Sequence, residues 1–204
     1  MRFDEVDTGL LRRTARGDAD AFEELCAAIQ PDLYAFIHSH LRNHEDTDEV
    51  LLECLVRIHR HLHTLADLGR FPWWLMRMAV NQCNSHRVRA AHHASVPLDD
   101  AVGVEPDRLV ASAAPPASAR EHAERGDTRR CVNEAIAMLP PRQRSAIILF
   151  ELEDRPIAEI AEILECSEGA VKFNLHEGRK KLRELLKPML SVGTARAPSS
   201  EVAP

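Results

Sequence analysis

Apolar residues recur at three- and four-residue steps along most of the chain and never alternate in the manner of a strand. In AVKFNLHEGRKKLRELL, Ala170 to Leu186, Val171, Leu175, Leu182 and Leu185 share one side of a helix, with Lys and Arg crowded toward its end. Upstream, DADAFEELCAAIQPDLYAFIHSHL repeats the helical period, with Asp18 or Asp20 available as its cap. The pattern predicts three or four amphipathic helices from Val6 to about Arg89. It then lapses: from Ala94 to Asp127 the chain is rich in Ala, Pro, Ser and acids and keeps no apolar period, which reads as a flexible linker. Helical periodicity returns after it, broken by Pro140-Pro141 and Pro156, and residues 189–204 read as a disordered tail. The expected fold is all-α, with two small helical domains (1–93 and 128–188) joined by the 94–127 linker.

Within the second domain, RPIAEIAEIL gives a short helix with Ile157, Ile160, Ala161 and Leu164 inward, ECS a tight connection, and Ser167 a cap for the basic helix that follows. Short helix, tight turn and longer basic helix form the helix-turn-helix pattern, whose second helix enters the DNA major groove. Successive residues 100° apart place Gly169, Lys172, Phe173, His176, Glu177 and Lys180 opposite the Val171–Leu175 row. Phe173 then points at solvent, where it could meet a thymine methyl or a protein partner. Lys172, Phe173 and His176 are candidates for base edges, and Arg179, Lys180 and Lys181 for phosphates.

Length and composition narrow the picture. A chain of 204 residues with 45% hydrophobic and 4% aromatic content can build aliphatic helical cores. The absence of an eighteen-residue apolar run and a charged N-terminus exclude membrane insertion and a secretory signal, so a cytoplasmic protein is expected. Cys26, Cys54, Cys83, Cys131 and Cys166 are scattered and never in C-x-x-C, as buried free thiols are. The net charge of -6 is unusual for a nucleic-acid partner. Its distribution is not: Ser167 to Lys187 carries six Lys or Arg against three acids.

The first domain holds two segments of opposite character. HEDTDEVLLE, His44 to Glu53, carries Glu45, Asp46, Asp48, Glu49 and Glu53 and no Lys or Arg. Arg70 to Ala90 carries four arginines, no acid, and Phe71, Trp73 and Trp74 interleaved. Arginines hold phosphates while rings stack on unpaired bases, so the second segment suits single-stranded nucleic acid. An acidic helix repels DNA and suits a basic protein surface.

The order of EDTDEVLLECLVRI, RFPWWLMRMAVNQCNSHR, a linker, then LPPRQRSAIILFELEDRPIAEIAEILECSEGAVKFNLHEGRKKLREL resembles the bacterial extracytoplasmic-function (ECF) sigma factors of the two-domain minimal class, over about residues 6 to 187. The resemblance implies that the first domain binds the clamp of core RNA polymerase and melts the minus-10 element of promoter DNA, while the second reads the minus-35 element as duplex. It implies polymerase contacts for Asp46, Asp48, Glu49, Glu53 and Arg57, and single-strand contacts for Phe71, Trp74, Arg77 and Asn81, to which the aromatic-basic pattern of the segment adds Trp73 and Arg87. His63 to Arg70 lies where the family captures a flipped base. Duplex contacts fall to Ser167, Gly169, Lys172, Phe173, His176, Arg179 and Lys180, and an anti-sigma factor is a further implied partner. Trp73, at a position where similar proteins place a smaller residue, is expected to face outward beside Arg77 and Asn81, with Trp74 in the core.

The chain departs from its relatives in two places. The clamp helix carries Leu52, Leu55 and His59 where similar proteins have glutamine and bulky aromatics, and the recognition helix carries Phe173, Asn174 and Glu177. The alternative is a stand-alone helix-turn-helix regulator, which needs neither segment of the first domain. A zinc site on His59, His61 and His63 with His92-His93 lacks the glutamate of H-E-x-x-H. With no nucleophile-base pair and no Gly-rich phosphate loop, no enzyme, metal or cofactor is expected.

Overall fold

The structure, a computed structural model, describes residues 2–94, 128 and 130–194. Among them every regular element is a helix. A 3-10 turn at Arg2–Glu5 precedes α1 (Thr8–Ala15), α2 (Ala19–Leu41), α3 (His44–His61) and α4 (Phe71–Ala94). The second half has α5 (130–137), α6 (Pro141–Ile147), α7 (Ile157–Ile163) and α8 (Glu168–Thr194). The expected linker lies outside the described residues apart from Ala94. At the other end, α8 runs through Pro188 to Thr194, beyond the boundary set at 188, and the remainder of the expected tail is not described.

Local chemistry sets the helix starts. Asp7 accepts from the Leu10 amide at 2.9 Å, Asp18 from Ala21 at 3.0 Å, and Asn43 from Glu45 at 2.8 Å, each satisfying an amide that the helix cannot. Pro141 takes the first position of α6, where its missing N–H costs nothing. α6 does not end cleanly: Ile148–Leu152 widens into a π-helical segment that sets Phe150 near α8.

In the first half, Leu25, Ile29, Leu33 and Ile37 of α2 pack with Val50, Cys54 and Ile58 of α3 and with Phe71, Leu75, Ala79 and Cys83 of α4. In the second, Ile147, Ile148 and Leu149 meet Ile160, Ile163, Val171 and Leu175. All five cysteines are free, and burial pushes the Cys54 thiol up to about 12. α8 crosses α6 at Gly178, where a Cβ would lie 2.9 Å from Ile147 Cγ1 and 3.6 Å from Gln143 Cβ. Arg144, 3% exposed, donates to the carbonyls of Ile136, Ala137 and Leu139 and so closes the C-terminal end of α5. Burial lowers its guanidinium to about 10, which leaves it charged at neutral pH.

The two halves touch. α7 lies against α4, and Arg87 of α4 reaches between them to the carbonyls of His40 and Ala137. His40 itself is 1% exposed, and its Nδ1–H donates to the Phe36 carbonyl at 3.0 Å. Burial, with Arg144 and Arg87 acting the same way, holds its imidazole down at about 4.

Two outcomes follow from these contacts. The unfolded chain protonates His40 below its ordinary value near 6.5 while the folded chain does not, so stability is intact above that pH and falls as pH drops toward 4. Urea unfolding should show a loss of about 2 kcal/mol from this group at pH 5, absent in His40→Gln. Gly178→Ala should destabilise the second half by about 1–3 kcal/mol in thermal denaturation, although alanine is the better helix former.

Candidate nucleic-acid interface

The α3 acids fall into two rows because positions three and four apart share a helix side. Asp46, Glu49 and Glu53 face α4: Gln82 Nε2 donates to Glu53 at 2.6 Å, Arg89 pairs with Glu53 at 3.1 Å, and His86 lies 3.4 Å from Glu49 and 3.6 Å from Asp46. Asp48 is exposed on the other row, together with Leu52 at 63% and Val56 at 39%. Glu45, Glu49 and Arg57 are also exposed. An apolar strip edged by carboxylates is a protein-contact surface in kind.

α4 starts from a rigid approach. The 3-10 turns Leu62–Thr64 and Leu68–Arg70 carry the chain from α3, and Asp67 accepts from the Gly69 amide at 2.9 Å. His63, Thr64, Ala66 and Asp67 remain exposed in this stretch. Arg70, Trp73 and Arg77 then stack: the guanidinium carbons lie 4.5 and 5.4 Å from the Trp73 ring centroid. Asn81, exposed, continues the same side one turn on. Trp73, expected to face outward, is half-buried against the core. An aromatic ring with two cations beside it and an amide beyond still offers an unpaired strand phosphate counter-charge, a ring edge and a base-edge donor and acceptor.

Other residues expected on this face are placed elsewhere. Phe71 is fully buried, because it opens the apolar ridge of α4, so it cannot stack on a base. Trp74 is half-buried and packs on Phe71 with ring centroids 6.1 Å apart. Arg87 turns inward to the two carbonyls between the halves. Arg70, read in the aromatic-basic segment and at the end of the flipped-base stretch but not singled out as a strand contact, is the first member of the stripe; its spacing to Trp73 and Arg77 was the available signal.

α8 begins as expected. Ser167 Oγ accepts from the Ala170 amide at 3.2 Å, Val171 and Leu175 are buried, and Gly169, Lys172, Phe173, His176 and Lys180 are exposed, Phe173 at 63%. Lys172 lies 3.6 Å from Glu168. Arg179 is drawn back, donating to Glu151 Oε1 at 2.6 and 2.8 Å and lying over Phe150 at 5.2 Å. Phe150, Ile157, Lys172, Leu175, His176, Arg179 and Arg183 line a groove of 330 Å³ beside the helix. Among the described residues no three His, Cys, Asp or Glu are grouped to hold a metal ion, and no helix is long and apolar enough to cross a membrane.

Residues 25–93 match Sigma-70 region 2, and residues 129–182 match Sigma-70 region 4. The chain is 30% identical over 176 residues to the RNA polymerase sigma factor CarQ of Myxococcus xanthus, covering 86% of this chain and 95% of CarQ. The chain belongs to the ECF RNA polymerase sigma factors. It is also 28% identical to the ECF RNA polymerase sigma factor SigM of Mycobacterium tuberculosis, over 91% of this chain and 87% of that one. Its fold is similar to the sigma factor RpoE of Bartonella quintana, solved in complex with the anti-sigma factor NepR (TM-score 0.55, 22% identity, 81% of this chain and 96% of that one). Region 2 of this sigma factor thus contains α3 and α4, and region 4 contains the helix-turn-helix.

The opposite exposures of neighbouring α8 positions give a direct check. Leu175→Ala should cost about 2–5 kcal/mol in chemical denaturation. Phe173→Ala should stay within about 0.5 kcal/mol of the native protein.

Proposed function

We propose that this sigma factor divides promoter recognition among three faces. Asp48, Leu52 and Val56, flanked by Asp46, Glu49, Glu53 and Arg57, dock on the clamp of core RNA polymerase. The stripe of Arg70, Trp73, Arg77 and Asn81 holds the melted minus-10 strand, with the exposed turn from His63 to Arg70 beside it for a flipped base. Gly169, Lys172, Phe173, His176 and Lys180 enter the major groove of the minus-35 duplex, with Ser167 at the helix start and Arg179 near the phosphates. The observation that carries this reading is the cluster of two guanidinium groups over the Trp73 ring on region 2, on a different helix from the proposed duplex-reading face of α8. A stand-alone duplex-binding regulator has no use for that stripe.

On this reading residues 1–93 and 128–188 are the working domains and 94–127 the linker. The protein acts in the cytoplasm with the polymerase and supplies specificity, while the polymerase performs the chemistry. An anti-sigma factor, as accompanies the Bartonella RpoE, is a fitting antagonist of the same faces.

Transcription by core polymerase on a selected promoter, supplied as duplex or with the minus-10 region already unpaired, tests the division of labour. Asp48→Lys should abolish output on both templates by preventing assembly with core enzyme, while leaving helical circular dichroism intact. Asn81→Ala should lower open-complex formation on the duplex by about fivefold, the worth of roughly one hydrogen bond, and recover on the unpaired template. Equal losses of Asn81→Ala on the two templates would remove the strand-holding role.

A further inference from the structure

At the corner where α2 meets α3, three rings come together that neither candidate nucleic-acid face uses. Tyr34 Oη lies 2.6 Å from His44 Nδ1, and the His44 ring stacks on His38 with centroids 4.7 Å apart and planes 25° from parallel. Tyr34 stacks on His38 within α2, at 6.0 Å and 6°. The inner side of the stack is fixed as well: Thr47 Oγ1 donates to the Asn43 carbonyl at 2.5 Å, so it accepts from His38 Nδ1–H, with the nitrogen 3.3 Å away. Burial, with Arg42 and His44 acting the same way, holds His38 below its ordinary value and keeps that ring neutral at neutral pH.

His44 opens the α3 surface that faces away from α4. It is exposed, Tyr34 beneath it is half-buried, and Asp48 follows one turn later, ahead of Leu52 and Val56. The strip assigned to the clamp thus begins with a fixed pair of rings beside a carboxylate. A guanidinium group suits that combination, because its face stacks on a ring while its edge donates to a carboxylate. The chain builds the same arrangement within itself at Arg179, whose guanidinium lies 5.2 Å from the Phe150 ring and donates to Glu151. Farther along α3, Leu52, Leu55 and His59 stand where similar proteins carry glutamine and bulky aromatics, so an aromatic contact is offered instead at the acidic end of the strip.

We propose that Tyr34 and His44, with Asp48, form a receptor for an arginine side chain of the polymerase clamp, adding a stacked contact to the acidic and apolar strip. The inference rests on the clamp-docking role given to α3 above. It also makes docking sensitive to protons. Around His44 stand Tyr34, His38 and Arg42 from α2, and Glu45 and Asp48 from α3. A neutral His44 ring accepts from the Tyr34 hydroxyl and offers its face to the cation, whereas a protonated ring sets a like charge against it.

The test uses bacterial core RNA polymerase and the full chain carrying a dye at its C-terminus, read by fluorescence polarisation. His44→Ala should weaken binding about fivefold at pH 8, as the loss of one cation–ring contact would. His44→Phe, which keeps a ring and gives up the hydrogen bond to Tyr34, should recover most of that loss. Between about pH 8 and 6 the native chain should lose affinity relative to His44→Phe, because only the native ring takes up a proton. Asp48→Lys bound as tightly as the native chain overturns the clamp role of α3, and the receptor with it. Loss of binding in Asp48→Lys but not in His44→Ala, equal weakening by His44→Phe and His44→Ala, or the same pH response in the native chain and His44→Phe overturns the receptor and leaves the clamp role standing.

Discussion

Phe71, Leu75, Ala79 and Cys83, each four residues from the next, are all fully buried, so α4 cannot rotate without pulling a continuous ridge out of the core it shares with α2 and α3. Burying side chains of the size of Phe71 and Leu75 contributes roughly 1.5–3 kcal/mol each, far more than any polar contact on the outer side of the helix. The orientation of the outer side is thus a consequence of the inner one. With the ridge fixed, Arg70, Trp73, Arg77 and Asn81 share one side of the helix, and both guanidinium groups come within reach of the ring. A binding surface positioned in this way needs no loop to order itself before meeting a strand, which lowers the entropy lost on binding.

The same ridge explains the division among the α3 acids. Once α4 is locked, its Gln82, His86 and Arg89 face Glu53, Glu49 and Asp46 across the helix pair. That row of carboxylates holds the relative register of the two helices. Asp48, Leu52 and Val56 lie outside it and remain available to another protein. An acidic segment that looks uniform in sequence therefore has an internal row and an external row.

How far the sequence could be read follows from which contacts are local. Helical period, the Asp18 and Ser167 caps and the outward turn of Phe173 depend on neighbours within one helix, and they were legible from spacing alone. Phe71 and Arg87 were expected beside the strand, yet both point inward, because the depth of a residue depends on the packing of helices distant in sequence. The fork of Arg144 that closes α5 and the seat of Gly178 against Ile147 join separate helices, so neither could be placed from spacing. Glu165 could not be recognised as strained without its backbone angle.

The net charge of -6 also has a structural meaning in a chain built to meet DNA. The acids are not simply elsewhere. Arg70 and Arg77 face Glu162 and Glu165, Lys172 faces Glu168, and Arg179 faces Glu151, so cations on both candidate nucleic-acid faces carry carboxylate partners. Each such pair is exposed and worth at most about 1 kcal/mol, which phosphates can replace. The net gain from each phosphate is reduced by the pair it must break, and that reduction applies to every DNA sequence alike. Contacts to bases, such as those proposed for Phe173, are untouched by it. Weakening the uniform part of the attraction while keeping the sequence-dependent part lowers binding to DNA at large more than it lowers discrimination among sites. A promoter-selecting factor that must first assemble with its polymerase benefits from that balance, and an acidic chain with paired arginines is one way to achieve it.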